Sequence, residues 1–240
     1  MKNRAIIIAG GSGSRMGQDI PKQFINVYDK PVLLYTLESF QRHEAIDDIV
    51  VVCIDGWHDV VRAYSKQFNI DKLSQVVSGG NTCQESIRNG VYALEGISDP
   101  DDVIIIHDGI RPLVVPDVLT DVIRVATEHG AAVTSLPYNE QIVLVGEDPA
   151  TTTQYVPRET LRRVSTPQGY RFDLLDSAYH EAFEREIGIY SPHYTNTMMS
   201  ELGHTIWFAA GSDKNIKLTT KDDLELFKAY LHQDEDTWLK

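Results

Sequence analysis

Residues Ala5 to Ala9 read AIIIA and run directly into Gly10-Gly11-Ser12-Gly13-Ser14-Arg15, an apolar segment too short for a helix followed by a glycine-rich loop. A strand that empties into such a loop lets backbone N–H groups approach an anion closely, because no Cβ stands in the way. Continuous apolarity along the strand also requires cover on both faces, which is the situation of a mostly parallel sheet between helices.

The rest of the chain keeps that rhythm. Short Ile/Val-rich runs at 4–9, 48–54, 74–77, 102–107, 131–137 and 204–209 alternate with segments of helical period at 31–42, 57–68, 82–95, 116–129, 172–187 and 220–232. Alternation of this kind predicts an α/β fold. The last helix opens on Thr220-Lys221-Asp222-Asp223, a capping-box pattern ahead of Leu224, Phe227 and Leu231. Between about 138 and 165 the rhythm lapses: two β-prone pieces, Gln141–Val145 and Thr153–Pro157, flank the turn-forming Gly146-Glu147-Asp148-Pro149. This reads as a projecting β-arm on a single domain spanning 1–240. An isolated two-stranded hairpin is marginal in water, so the arm packs either on its own domain or on a second subunit.

Thirty-five acidic against 22 basic residues leave a formal charge of -13, which disfavours nucleic acid and anionic membrane as partners. No run approaches the ~20 apolar residues of a membrane span. The run at Ala5–Ala9 is also shorter than the ~7–15 residues of a signal-peptide core. The two cysteines, Cys53 and Cys83, form no CxxC pair and fit a reducing compartment, so the expected location is cytoplasmic. The histidines show no metal spacing, and His107 at a strand end reads as a hydrogen-bonding core or loop residue.

Spacing decides what kind of loop follows the first strand. A dinucleotide fingerprint starting at Gly11 needs glycine at the position of Met16, and a Walker loop needs lysine after Gly17, where Gln18 stands. What remains is a glycine loop running into Arg15 and then, past Pro21, into Lys22, two cations suited to gripping a triphosphate.

Taken together, Ala9 to Met16 with Pro21-Lys22-Gln23-Phe24, Gly79-Gly80 with Ser86, His107-Asp108-Gly109-Ile110-Arg111-Pro112, Arg158 followed by Thr166-Pro167-Gln168, and Asn215-Ile216-Lys217 with Thr219 resemble, in order, the motifs of the cytidylyltransferases that act on methylerythritol phosphate and ribitol phosphate. The resemblance covers nearly the whole chain. It implies a Rossmann-like three-layer nucleotidyltransferase fold and transfer of CMP from CTP to a sugar-alcohol phosphate, releasing pyrophosphate. The attacking group is an ionised phosphate oxygen, so neither a serine nucleophile nor a general base is needed, and none is evident.

The same resemblance distributes the roles. Ala9, Gly10, Gly11, Ser12 and Gly13 are expected to hold the triphosphate, with Arg15 and Lys22 neutralising charge in the transition state and Lys217, also counted catalytic, binding the phosphate of the acceptor. Gly80, Asn81, Ser86, Asp108 and Gly109 are expected around the nucleotide, and Asp108 is the candidate ligand for Mg2+. Arg158, Thr166 and Gln141 are expected at the acceptor, with Arg158 serving the neighbouring subunit of a homodimer through the arm. Plainer readings stand beside these: Ser86 as a helix-start residue, Asp108 as an ion-pair partner of Arg111, Arg158 as a solvated arm residue.

The chain departs from the family pattern at Cys83, where an arginine is usual, at Glu140-Gln141-Ile142-Val143, and at Tyr194-Thr195-Asn196-Thr197, where an acid is shifted out. Lys214 also stands where an acid is common. These changes lie around the acceptor or the outer nucleotide site, so ribitol 5-phosphate or a related polyol phosphate is the expected substrate and methylerythritol 4-phosphate the alternative. A UTP- or GTP-dependent sugar-phosphate enzyme and an inactive nucleotide-binding module are the rival readings.

Overall fold

The computed structural model describes residues 1–11, 20–190 and 194–232. Strand β1 (Asn3–Ala9) leads past a short pair, β2 (Asn26–Val27) and β3 (Lys30–Pro31), into helix α1 (Val32–Arg42). Then follow β4 (Asp48–Cys53), α2 (His58–Gln67), β5 (Leu73–Ser78), α3 (Cys83–Tyr92), β6 (Val103–Asp108), α4 (Pro116–His129) and β7 (Ala131–Pro137). The arm strands β8 (Ile142–Leu144) and β9 (Gln154–Val156) precede β10 (Arg162–Arg171), α5 (Phe172–Arg185), α6 (Thr195–Glu201), β11 (Trp207–Ala210) and α7 (Lys221–His232).

The central sheet has the order β11-β7-β10-β6-β1-β4-β5, and β10 runs antiparallel to both of its neighbours while the other pairings are parallel. Alternate residues of the apolar strands supply two cores. Ala5, Ile7, Ile49, Val51, Val103 and Ile105 face α1 and α4, whereas Ile6, Val50, Val52, Ile104 and Ile106 face α3 and α5. Each fully buried Ile or Val of this kind contributes about 1.5–3 kcal/mol. That two-sided demand is why these strands carry no polar alternation.

Sequence and structure differ most at β10. Its sequence, RRVSTPQGYR, is polar and holds Pro167 and Gly169, so it gives no strand signal, yet four of its residues fill the gap between β6 and β7. Residues 162–165, expected in the arm, pair with Pro137 to Thr134 and carry the sheet outward to the arm's root. The arm itself is a hairpin of β8 and β9. The expected strand at 204–209 lies at 207–210, and α6 gave no periodic signal because it is only seven residues long. Helix starts follow the expected chemistry: Thr82 accepts from the Glu85 N–H, and Asp223 accepts from the N–H groups of Thr219 and Thr220 while Thr220 accepts from the Asp223 N–H. Among the described residues no helix is long and apolar enough to cross a membrane.

Candidate active site

The carboxyl ends of β1, β5 and β6 meet at one edge of the sheet, where ligands of open α/β sheets bind. Gly10 and Gly79 approach backbone to backbone: a Cβ on either would sit 3.2 Å from the Ser86 hydroxyl and 3.4–3.6 Å from the other's Cα. The Ser86 hydroxyl accepts from the Gly80 N–H at 3.0 Å and donates to the Thr82 carbonyl at 2.9 Å. Ser86 therefore pins the second glycine loop to the start of α3, and its hydroxyl faces backbone within the protein. Gly109 is likewise built into the scaffold: its N–H donates to the Ile8 carbonyl and its carbonyl accepts from Thr36. Its part is the close approach of β6 to β1, where a Cβ would stand 3.0 Å from the Ile8 oxygen.

Ala9 and Gly11 are held by a residue the sequence did not mark out. Gln23 is buried in the turn that also carries Lys22, and its amide donates to the carbonyls of Ala9 (2.6 Å) and Gly11 (3.0 Å). The P-K-Q-F motif thus supplies both a cation and the clamp on the loop. Ser12, Gly13 and Arg15 lie outside the described residues. Gly80 is half-buried and Asn81 exposed at the mouth of α3.

Asp108 ends β6 and gathers the remaining motifs. Its Oδ2 accepts from Arg111 Nε at 3.0 Å and lies 3.1 Å from Lys217 Nζ. Arg111 donates on to the Asn215 carbonyl, Asn215 Nδ2 donates to the Thr166 carbonyl, and the Thr166 hydroxyl accepts from the Asp108 N–H. Lys217 is brought there by its neighbour, for Leu218 is buried with Phe227 of α7 and bonded to the Ile110 carbonyl. Burial alone would raise the Asp108 carboxyl, but Lys217 and Arg111 outweigh it and hold its pKa down to about 2. His107 is the opposite case. Burial holds its imidazole down to about 4, so it is neutral and donates from Nε2 to the Arg111 carbonyl at 3.0 Å.

A pocket of about 250 Å3 opens in front of this group, lined by Asp108, Lys217, Thr166, Cys83 and Asn196. A second, of about 340 Å3, shares Arg111 and Lys217 with it and extends toward Arg163 and Ser212. The Cys83 thiol lines the first pocket, where desolvation and then Asp108 push its pKa up to about 11, so it is a thiol at neutral pH. Gln141 and Arg158 are brought together elsewhere, in a concavity of about 330 Å3 on the arm. Within one chain the arm pair and the Asp108 pocket are separate sites.

Two glycines at the end of β1, close-packed on a second glycine loop, and an ionised carboxylate braced by two cations at the end of β6 give the layout of an α/β enzyme with its site at the carboxyl edge of the sheet. The chain belongs to the IspD family, described as 2-C-methyl-D-erythritol 4-phosphate cytidylyltransferase, whose pattern matches residues 4–233. Ribitol-5-phosphate cytidylyltransferase of Lacticaseibacillus paracasei is 57% identical over 231 residues, 96% of this chain and 98% of that protein. The protein of the same name from Streptococcus agalactiae serotype V is 37% identical over 95% of each chain. A 2-C-methyl-D-erythritol 4-phosphate cytidylyltransferase of Clostridium novyi is 34% identical over 96% of each. In fold, the chain matches the 4-diphosphocytidyl-2C-methyl-D-erythritol synthase of Anaerococcus prevotii with a TM-score of 0.82 over 97% of this chain and 99% of that one, at 23% identity.

Proposed function

We propose that this cytidylyltransferase moves CMP from CTP to ribitol 5-phosphate, giving CDP-ribitol and pyrophosphate. The observation that carries the choice of acceptor is the 57% identity, over nearly the full length, to a protein named for that substrate, against 34% for the Clostridium novyi methylerythritol protein.

In the reaction a phosphate oxygen of the acceptor forms a bond to the α-phosphorus of CTP, and the bond from that phosphorus to the bridging oxygen breaks as pyrophosphate leaves. No proton has to be removed from the nucleophile. Catalysis consists of positioning and charge neutralisation, for which Arg15, Lys22 and Lys217 are the cations and Ala9 to Gly13 the phosphate loop. Gly80 and Asn81 face the nucleotide, with Ser86 and Gly109 holding the loops that surround it. Thr166 lines the acceptor pocket with Lys217.

The donor set fits Mg2+: Asp108 is ionised at any physiological pH, and its Oδ1 makes no hydrogen bond among the described residues. A magnesium ion asks for only a carboxylate or two beside phosphate oxygens. Asp108 would hold the ion, which when bound would withdraw charge from the triphosphate, and Lys217 would remain paired with the Asp108 carboxylate.

The arm suits a homodimer. Val143, Leu144, Val145 and Tyr155 are 47–70% exposed on a hairpin that has little else to pack on. Arg158 and Gln141 would then complete the acceptor site of the partner. Both cysteines are free and the net charge is -13, consistent with a cytoplasmic enzyme of small anionic substrates without nucleic-acid or membrane partners.

The test is pyrophosphate release with Mg2+ and CTP, offering ribitol 5-phosphate, methylerythritol 4-phosphate and glycerol 3-phosphate in parallel, with UTP in place of CTP as control. Turnover with CTP and ribitol 5-phosphate is expected. Preference for methylerythritol 4-phosphate would move the enzyme to the other branch of its family, and CTP binding without pyrophosphate would make it a non-catalytic module.

A further inference from the structure

One wall of the pocket facing Asp108 and Lys217 joins Gln168, the last residue of the Thr166-Pro167-Gln168 motif, to Asn196, which stands where the chain departs from the family pattern. Tyr170 is fully buried on β10, and its hydroxyl donates to Gln168 Oε1 at 2.7 Å; Gln168 Nε2 in turn donates to Asn196 Oδ1 at 3.0 Å. Burial keeps the Tyr170 hydroxyl protonated, and Gln168 Oε1 is its one hydrogen-bond partner among the described residues, so its proton goes there. A fixed donor at one end sets the orientation of each amide along the chain. Gln168 must offer its nitrogen to Asn196, and Asn196 must offer its oxygen to Gln168. The Asn196 Nδ2 group is left over, and it makes no hydrogen bond among the described residues. Asn196, Gln168, Lys217 and Asp108 line the same pocket. A second relay holds the neighbouring residue: the Tyr179 hydroxyl bonds Thr195 Oγ1 and Gln84 Oε1.

We propose that Asn196 is a specificity-determining residue that reads a hydroxyl of the acceptor's polyol chain, with Gln168 and Tyr170 as the positioning residues that keep its amide donors turned into the pocket. The inference rests on the reading of the enzyme as a polyol-phosphate cytidylyltransferase and adds the residue that measures the alcohol. A polyol carries a row of hydroxyl oxygens that accept from such a donor pair, whereas a shorter alcohol phosphate leaves the donors unmatched. Sites built to bond a hydroxyl discriminate strongly against ligands that lack it, because their polar groups are then left without partners.

The experiment measures three constants on the intact enzyme: KM for ribitol 5-phosphate, KM for CTP, and Ki for glycerol 3-phosphate as a competitor of ribitol 5-phosphate. Asn196→Ala is expected to raise the first by about tenfold or more and to leave the other two within about twofold, as loss of one hydroxyl contact should. Asn196→Asp retains an oxygen toward Gln168 but removes both donors, and is expected to behave alike. Tyr170→Phe should raise the same constant, and the Asn196→Ala/Tyr170→Phe double variant should lose nothing further. Equal changes in the ribitol 5-phosphate and glycerol 3-phosphate constants, or no change in either, would overturn the role of Asn196. Additive losses in the double variant would overturn the relay. A wild-type enzyme without activity on ribitol 5-phosphate sinks the underlying reading instead, and that result appears before any variant is made.

Discussion

At the scale of single residues, two neighbours at the end of β6 illustrate opposite uses of burial. Asp108 is kept charged by Lys217 and Arg111, whereas His107 is kept neutral by the burial of its ring, which outweighs the hydrogen bond to the Arg111 carbonyl that favours the charged form. Unfolded, His107 would titrate near 6.5; folded, its pKa is held down to about 4. Between these values the unfolded chain binds the extra proton, so stability rises with pH across that window and is lost as pH falls through it. At 1.36 kcal/mol per pH unit the contribution is on the order of 3 kcal/mol at neutral pH. The expected outcome is that His107→Gln, whose amide can replace the Nε2 donor, flattens the urea-midpoint profile between pH 4 and 6.5. An unchanged slope would mean that other groups carry the acid sensitivity. Cys83 keeps its proton at neutral pH, so the missing family arginine is replaced there by a neutral group.

At the scale of elements, α3 shows how the sheet and the site share one piece of structure. Its N-terminus carries Cys83 to the pocket and pins the second glycine loop through Ser86, and the helix must lie close on β1 and β4 to place them. Gly90 makes that approach possible: a Cβ there would stand 2.7 Å from Ile6 Cγ2 and 2.8 Å from Val52 Cγ2, both in the buried core. Alanine in a helix interior gains roughly 1 kcal/mol over glycine in propensity. Overpacking a rigid core costs typically 1–3 kcal/mol. The second effect is the larger here, because both clashing methyls are enclosed. Gly90→Ala is therefore expected to lower stability by about 1 kcal/mol net, read as a drop in denaturant midpoint at constant slope. A rise in midpoint would show that the helix can lift away without loss. Most helices were legible from their period and caps. Strand β10 was not, because its sequence carries Pro167, Gly169 and a polar majority, and only its neighbours β6 and β7 make it a strand.

At the scale of the molecule, a chain of net charge -13 has to bind two anions. In the proposed mechanism it does so by local inversion: Arg111 and Lys217 stand together at Asp108, and Lys22 and Arg15 are added from the segment that follows β1. The proposed dimer adds Arg158 from the other copy. If the arms interlock as proposed, Arg158→Ala in one subunit should damage the partner's site. Mixed dimers pairing an Arg158→Ala chain with a Lys217→Ala chain would test this: under exchange, one of the two sites carries both lesions and the other is intact, so about half of wild-type turnover is expected. Near-background turnover, with each subunit crippled by its own lesion, would place Arg158 in its own subunit's site.

The sequence by itself determined the layered α/β plan, the glycine loop at the end of the first strand, and the order of the motifs around it. These are properties of local period and of residue types whose chemistry does not depend on distant partners. Asp108, Lys217 and Thr166 were legible as candidates because each stands in a short, ordered motif, and the structure joins those motifs through one chain of hydrogen bonds and an ion pair. The clamp by Gln23, the use of the Ser86 hydroxyl on backbone, the insertion of β10 and the amide orientation of Asn196 were decided only by the tertiary structure. Each depends on which polar group faces which across 2 to 28 residues of chain or more, and a single side chain carries no trace of the partner that burial will assign to it.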